Sequence, residues 1–354
     1  MTFPKTNIGA TLGQINSIRF DENFSISQDI PNPASIRAKR QLAEQNVGLS
    51  QQRFAISKQE VIYNIKQSWY QILYLQALDK VLQREDSVLQ QFVRAATLKF
   101  KTGEGTLLER TTAETKQQQL QQNSIQIKTL LQVEKMKVQQ LMNNTDDFSI
   151  ADTSFSSISL DDVIDPSVLN NNPLLLYAKQ QLALIEAEKN VVKAEALPDF
   201  KVGYFIQSLA GTQEVNGQLK TYSSIPLFQG VQLGISLPLF GKSAYKARNE
   251  ALNMQVVMQQ KRNDYLLIQL QSQLKQYVQE YQFWKNNIGY YQNTALLNAQ
   301  SILKNATRAY QGGDIGYVEY AQALQTNLDI QKAYLEAINN LNKAVISIQF
   351  IINQ

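Results

Sequence analysis

The sequence predicts a mainly α-helical chain made of two related halves, each running strand, strand and long helical hairpin. Three observations carry that expectation. Glycine and proline are scarce, 15 and 8 in 354 residues, so elements run long before anything breaks them. Apolar residues return at heptad steps through the longest tracts. One turn pattern also occurs twice. FKTGEGTLLERTTAET (100–115) and YQGGDIGYVEYAQALQ (310–325) align without a gap, placing Gly103 against Gly313, Glu104 against Asp314 and Glu109 against Glu319.

The first repeat spans 1–142. Its strands are expected at 6–16 and 23–31, where Ile8, Ala10 and Leu12, then Phe24 and Ile26, alternate with small or polar residues. A helical hairpin follows over 34–142 with its tip near 103. On the outgoing helix Val47, Phe54 and Val61 form one apolar line, Ile65 and Ile72 continue it on an adjoining one, and Ala55, Ile62 and Trp69 form a second beside them, a face wide enough for more than one neighbour. At ~1.5 Å per residue this helix approaches ~100 Å, too long for a compact domain. Gly103 to Gly105 break it, and the returning helix carries Leu120, Ile127, Leu131 and Val138 as its stripe. Residues 143–171, rich in Asp, Ser and Asn, form a mixed segment.

The second repeat spans 172–354. Asn172 and Pro173 open a helix over 172–197. Strands follow at 199–208 and 230–238, with Phe200, Val202, Tyr204 and Ile206, then Val231, Leu233, Ile235 and Leu237, in alternation. A helical hairpin over 241–353 has its tip near 313. Pro4 matches Pro198 and Pro31 matches Pro238, and residues 208–230 are expected to be a longer connecting loop. The helix at 172–197 has no counterpart ahead of Pro4, so a matching upstream helix, and with it a signal peptide, is expected beyond the sequence.

Composition excludes several function classes. The net charge of +4 comes without a basic block, which argues against nucleic acid. The chain has no Cys and no His, so disulfides, thiol catalysis, the usual zinc sites and histidine acid–base chemistry are absent, as are a phosphate loop and a nucleophile–base pair. No enzymatic activity, metal or cofactor is expected. Met254 and Met258 read as core packing rather than soft-metal contacts, and Trp69 and Trp284 as seam residues between helices. Asp161, Asp162 and Asp165 fit no calcium loop and read as solvated.

No apolar run is long enough for a transmembrane helix. A transmembrane β-barrel is another matter. Four strands cannot close one, but three chains would supply twelve, each near the ~9–11 residues that cross a bilayer. Here the chain resembles a known family. The strand-to-helix segment GISLPLFGKSAYKARNEA (234–251), the helix-to-strand segment NPLLLYAKQQLALIEAEKNVVKAEALPDF (172–200) and the two turns are similar to those of TolC-like outer membrane efflux proteins. These are the exit ducts of tripartite pumps and type I secretion systems.

The resemblance implies a homotrimer forming a 12-stranded β-barrel in outer-membrane lipid, continued by a periplasmic α-helical barrel with residues 143–171 as its equatorial segment. It implies docking to a periplasmic membrane-fusion adaptor and an inner-membrane RND pump, which in some members is fused upstream. By the same resemblance Gly103, Gly105, Leu107, Gly313, Ile315 and Val318 form the adaptor-docking tips, and Glu109, Glu319, Glu104 and Asp314 the periplasmic gate. The alternatives are that the glycines only permit the turns and that the acids only stabilise helix N-termini. Tyr204, Phe205, Tyr222 and Phe228 are candidates for an aromatic girdle, with loop packing the alternative for the last two. The cation-efflux branch, transporting heavy-metal ions, is the favoured one. Drug efflux, type I secretion and a soluble coiled-coil scaffold are the alternatives.

Overall fold

The computed structural model describes residues 4–15, 20–148, 150, 154–160, 165–208, 210–222 and 228–353. In chain order the elements are β1 (Asn7–Gly13), β2 (Asp21–Ile30), α1 (Pro33–Thr102), α2 (Leu107–Leu141), a 3-10 turn (Pro166–Asn171) and α3 (Pro173–Glu195). Then come β3 (Asp199–Gln207), β4 (Gly211–Val215), β5 (Gln218–Tyr222), β6 (Phe228–Ser236), α4 (Lys242–Tyr290), a π turn (Tyr291–Ala295), α5 (Leu296–Gly312) and α6 (Tyr317–Ile352). They gather into two compact units that each draw on both repeats: the residues up to Arg53 with Leu174–Tyr265, and Phe54–Pro173 with Leu266 onward. Among the described residues no helix is long and apolar enough to cross a membrane.

The first unit is built on an antiparallel sheet in the order β1-β2-β3-β6. Its register sets Ile8 opposite Ile26, Ile26 opposite Tyr204 and Tyr204 opposite Val231, and likewise Val202 opposite Leu233 and Phe200 opposite Ile235. Because side chains alternate along each strand, these residues all share one face. That face is exposed, Ile8 at 82% and Leu233 at 77%. Ser25, Ser27, Lys201, Gly203 and Gln232 line the other face. Phe205 is on that polar side, its ring so close to Gly230 that a Cβ there would come within 2.8 Å. Tyr204 is on the apolar side.

Where the sequence predicts a loop at 208–230, the structure has the β4–β5 hairpin. Its two central residues, Asn216 and Gly217, both have positive φ, 54° and 77°, the backbone that a two-residue hairpin turn needs. Ser208 and Asp21 anchor its base. The Ser208 hydroxyl accepts from the Glu22 N–H at 2.8 Å, and the fully buried Asp21 carboxylate accepts from the Ala210 N–H at 2.9 Å. Tyr222 and Phe228 meet edge to face at 5.9 Å beside it.

Asn32 starts α1. Its side-chain oxygen accepts from the Ala34 N–H at 2.8 Å, Pro33 follows at the first helical position, and its own N–H donates to Asp199 at 2.8 Å. α1 packs on α3 through Ala38, Leu42, Val191 and Ala194. Beside that contact, Gln180 donates to both the backbone and side-chain oxygens of Gln45, over Gly48. Met254 and Met258, expected in the core, are exposed, because Leu252 and Val256 occupy the buried side of α4.

In the second unit, Ile72, Leu73, Val138 and Ile150 form one cluster, with Trp69 and Phe155 against it. Leu82, Leu120 and Leu328 form the next. The last part of α6 is the most buried tract, and Asn342 within it is a clasp. Its side chain accepts from the Ile158 N–H at 2.8 Å and donates to the Ser156 carbonyl at 2.9 Å. Of the acidic cluster, Asp161 and Asp162 lie outside the described residues. Asp165 caps the 3-10 turn, accepting from the N–H and hydroxyl of Ser167 at 2.8 and 2.6 Å, which holds its carboxyl below the usual range. The sequence predicts one helix from Lys242 to Tyr310, whereas the π turn interrupts it, with Gln292 donating to the Tyr334 hydroxyl at 3.0 Å.

Candidate functional site

Both hairpin turns belong to the second unit. They share one backbone device. Gly103 and Gly313 have φ of +81° and +82°, a left-handed conformation that an L-residue adopts only at a cost. The following N–H then reaches back five residues, Glu104 to the Lys99 carbonyl and Asp314 to the Ala309 carbonyl, both at 2.9 Å. These contacts satisfy carbonyls that a helix end would leave open. Gly105 serves a second purpose: a Cβ there would lie 3.0 Å from the Lys99 side chain and 3.2 Å from its backbone.

The returning helices start differently. Thr106 caps α2, its hydroxyl accepting from the Glu109 N–H at 3.1 Å. Gly316 starts α6 with no side-chain cap, and the Glu319 carboxylate occupies the space beside it that a Cβ would crowd to 3.0 Å. Glu109 and Glu319 therefore sit in the first turns of α2 and α6, where partial positive charge on the free N–H groups favours a carboxylate.

The four acids are not equivalent. Glu104, Asp314 and Glu319 are exposed, whereas Glu109 is half-buried. Its carboxylate accepts from the Tyr310 hydroxyl at 2.9 Å, tying the end of α5 to the start of α2. Tyr310 stacks on Tyr320 at 4.9 Å, and Phe92 touches Tyr310, Tyr317 and Tyr320 at 5.0–5.5 Å. Burial, then the Glu109 hydrogen bond and charge, push the Tyr310 hydroxyl well above its ordinary pKa, so it stays a donor. Arg110 pairs with Glu114 at 3.3 Å and lies over the Phe100 ring at 4.9 Å.

The docking candidates also divide. Leu107 and Val318 are 56% and 73% exposed, while Ile315 is half-buried against the Phe92 cluster. Leu108, which the sequence reading passes over, is 77% exposed and stands 210 residues before Val318, in register with it. The repeat alignment holds the signal for Leu108. For the Tyr310–Glu109 contact, spanning 201 residues, it holds none. No group of residues fit to hold a metal ion occurs among the described residues.

Residues 166–354 match the family model described as outer membrane efflux protein. No curated protein matches the chain in sequence. Solved structures match its fold. The CusC channel superposes with a TM-score of 0.81 at 14% identity, over 99% of this chain and 83% of that one. VceC from Vibrio cholerae gives 0.78 at 15% identity, over 99% and 87%, and the open state of the MtrE channel from Neisseria gonorrhoeae 0.79 at 14%, over 99% and 80%.

Proposed function

Because this chain belongs to the outer membrane efflux protein family, we propose that three copies complete one another's sheets into a twelve-stranded barrel whose helical continuation ends at the two turns. As a family member the protein is a transport duct rather than an enzyme, and works in the outer membrane with its helical part in the periplasm. Related channels are homotrimers that dock with periplasmic adaptors and RND pumps. In our reading Gly103, Gly105, Leu107, Leu108, Gly313, Ile315 and Val318 form the surface that meets the adaptor. Glu109, Glu319, Glu104 and Asp314 surround the aperture and favour cations. The cargo is a metal ion, driven by the pump through a passive duct. With no Cys or His in the chain, selection among metals falls to pump and adaptor.

The observation that carries this reading is the sheet. One face is apolar and exposed, and β1 and β6 each have a partner on one side only among the described residues. In lipid such edges leave N–H and C=O groups unpaired until another copy supplies them, at several kcal/mol per group. A soluble coiled coil would have no use for that face. Native mass in detergent, on protein recovered from the outer-membrane fraction, should give a heat-dissociable trimer; a monomer or dimer would overturn the barrel.

The gate assignment is tested in a planar bilayer. Replacing both Glu109 and Glu319 with Gln should shift the reversal potential in a salt gradient toward lower cation preference, and an unchanged potential would sink it. Cells lacking the protein should gain sensitivity to metal ions and not to drugs. The opposite pattern would make it a drug duct.

A further inference from the structure

The second unit holds a cavity of about 220 Å³ that the transport reading neither uses nor requires. α1 contributes Glu85 and Phe92 to its wall, α2 contributes Lys116 and Leu120, and α6 contributes Tyr317 and Lys332. Glu85 is 7% exposed, and among the described residues no hydrogen bond or ion pair engages its carboxyl. Lys116 turns to Gln325 instead, donating to its side-chain oxygen at 3.3 Å. A buried carboxyl without a partner is costly when ionised, and burial pushes Glu85 up to about 7. The charged and titratable groups facing it are Lys116 on α2 and Lys332, Tyr317 and Tyr320 on α6.

Size and chemistry together narrow the occupant. An apolar cavity of ~150 Å³ accepts a benzene ring, so this one has room for a single ring and a short polar arm. A plain amine would satisfy Glu85 and meet repulsion from two lysines. A plain acid would answer the lysines and leave Glu85 buried and unpaired. We propose that the cavity is a binding site for a small zwitterionic aromatic, with its ammonium on Glu85, its acid group on Lys116 and Lys332, and its ring against Phe92 and Tyr317.

L-Phenylalanine is the probe, titrated calorimetrically into the full chain in detergent near pH 8, with phenethylamine and 3-phenylpropionate as analogues carrying one charge each. Phenylalanine should bind, and each analogue about tenfold more weakly. Glu85→Gln keeps the shape and removes the charge, so it should weaken phenylalanine about tenfold and leave 3-phenylpropionate unchanged or tighter. The sign with pH follows from the ionised carboxylate being the binding form: protonation below about 7 removes it. Between about pH 8 and 5.5 the wild-type affinity should fall about sevenfold, approaching that of Glu85→Gln, which stays level. No saturable binding of phenylalanine by the wild type would overturn the proposal and leave the cavity to its own lysines or to a neighbouring copy. Equal affinity for phenethylamine, or a pH-independent wild type, would overturn it as well, and neither needs the variant to fold.

Discussion

Leu233→Arg is expected to destabilise the membrane-inserted protein by about 2–4 kcal/mol per chain, the cost of a basic side chain on the lipid face of a barrel near the bilayer midplane. One residue earlier, Gln232→Arg should stay within about 0.5 kcal/mol, as an exposed polar substitution does. The two positions differ only in the side of the sheet they occupy. Leu233 stands opposite Val202 in the apolar array, whereas Gln232 stands opposite Gly203 on the polar side, where its own side chain is exposed. Urea unfolding in lipid vesicles measures both. Equal losses would mean that the apolar face does not meet lipid, and the proposed barrel would then need a different orientation of its strands.

Asn342→Leu is expected to cost about 1–3 kcal/mol, because a buried donor and acceptor lose their partner while volume is nearly kept. Asn342 is fully buried and holds the backbone of the 154–160 segment through Ser156 and Ile158. The damage should therefore begin there. Hydrogen exchange should accelerate at Ile158 before any change at Ile346 or Ile348, buried in the same helix. Ser347→Ala is the comparison: the Ser347 hydroxyl meets only other side chains, Tyr277 and, at a long 3.4 Å, Tyr63, and its loss should cost about 1 kcal/mol. Uniform acceleration along α6 would show that Asn342 supports the helix and not the segment.

The long helices are legible because few residues could end them, and the strands because period two survives in Phe200, Val202, Tyr204 and Ile206. Yet the apolar lines that announce α1 are not equally packed. Val47, Phe54 and Val61 are exposed, whereas Ile72 on the adjoining line is buried, as are Leu75 and Leu82. Periodicity identifies a helix without saying which neighbour each stripe meets. The β4–β5 hairpin escaped for the reverse reason. Asn216-Gly217 marks its turn, but Thr212, Thr221 and Lys220 give it no apolar face to read. At the turns, the glycines and acids could be read from the repeat. That Glu109 is held by Tyr310 while Glu319 is free to reach back over Gly316 could not be, since both depend on contacts between helices or on local backbone shape.

The π turn at Tyr291–Ala295 bears on how helices of unequal length reach matching turns. α1 takes 70 residues to reach its turn, while α4, the π turn and α5 take 49, five and 17, one residue more. In a regular α-helix one extra residue would swing everything beyond it by about 100°. Here a single wide turn swallows the surplus, like a leap day that keeps a calendar aligned with its seasons. Gly313, Asp314 and Glu319 consequently arrive in step with Gly103, Glu104 and Glu109 despite the unequal count. Helices of unequal length can thus end in turns of the same backbone form.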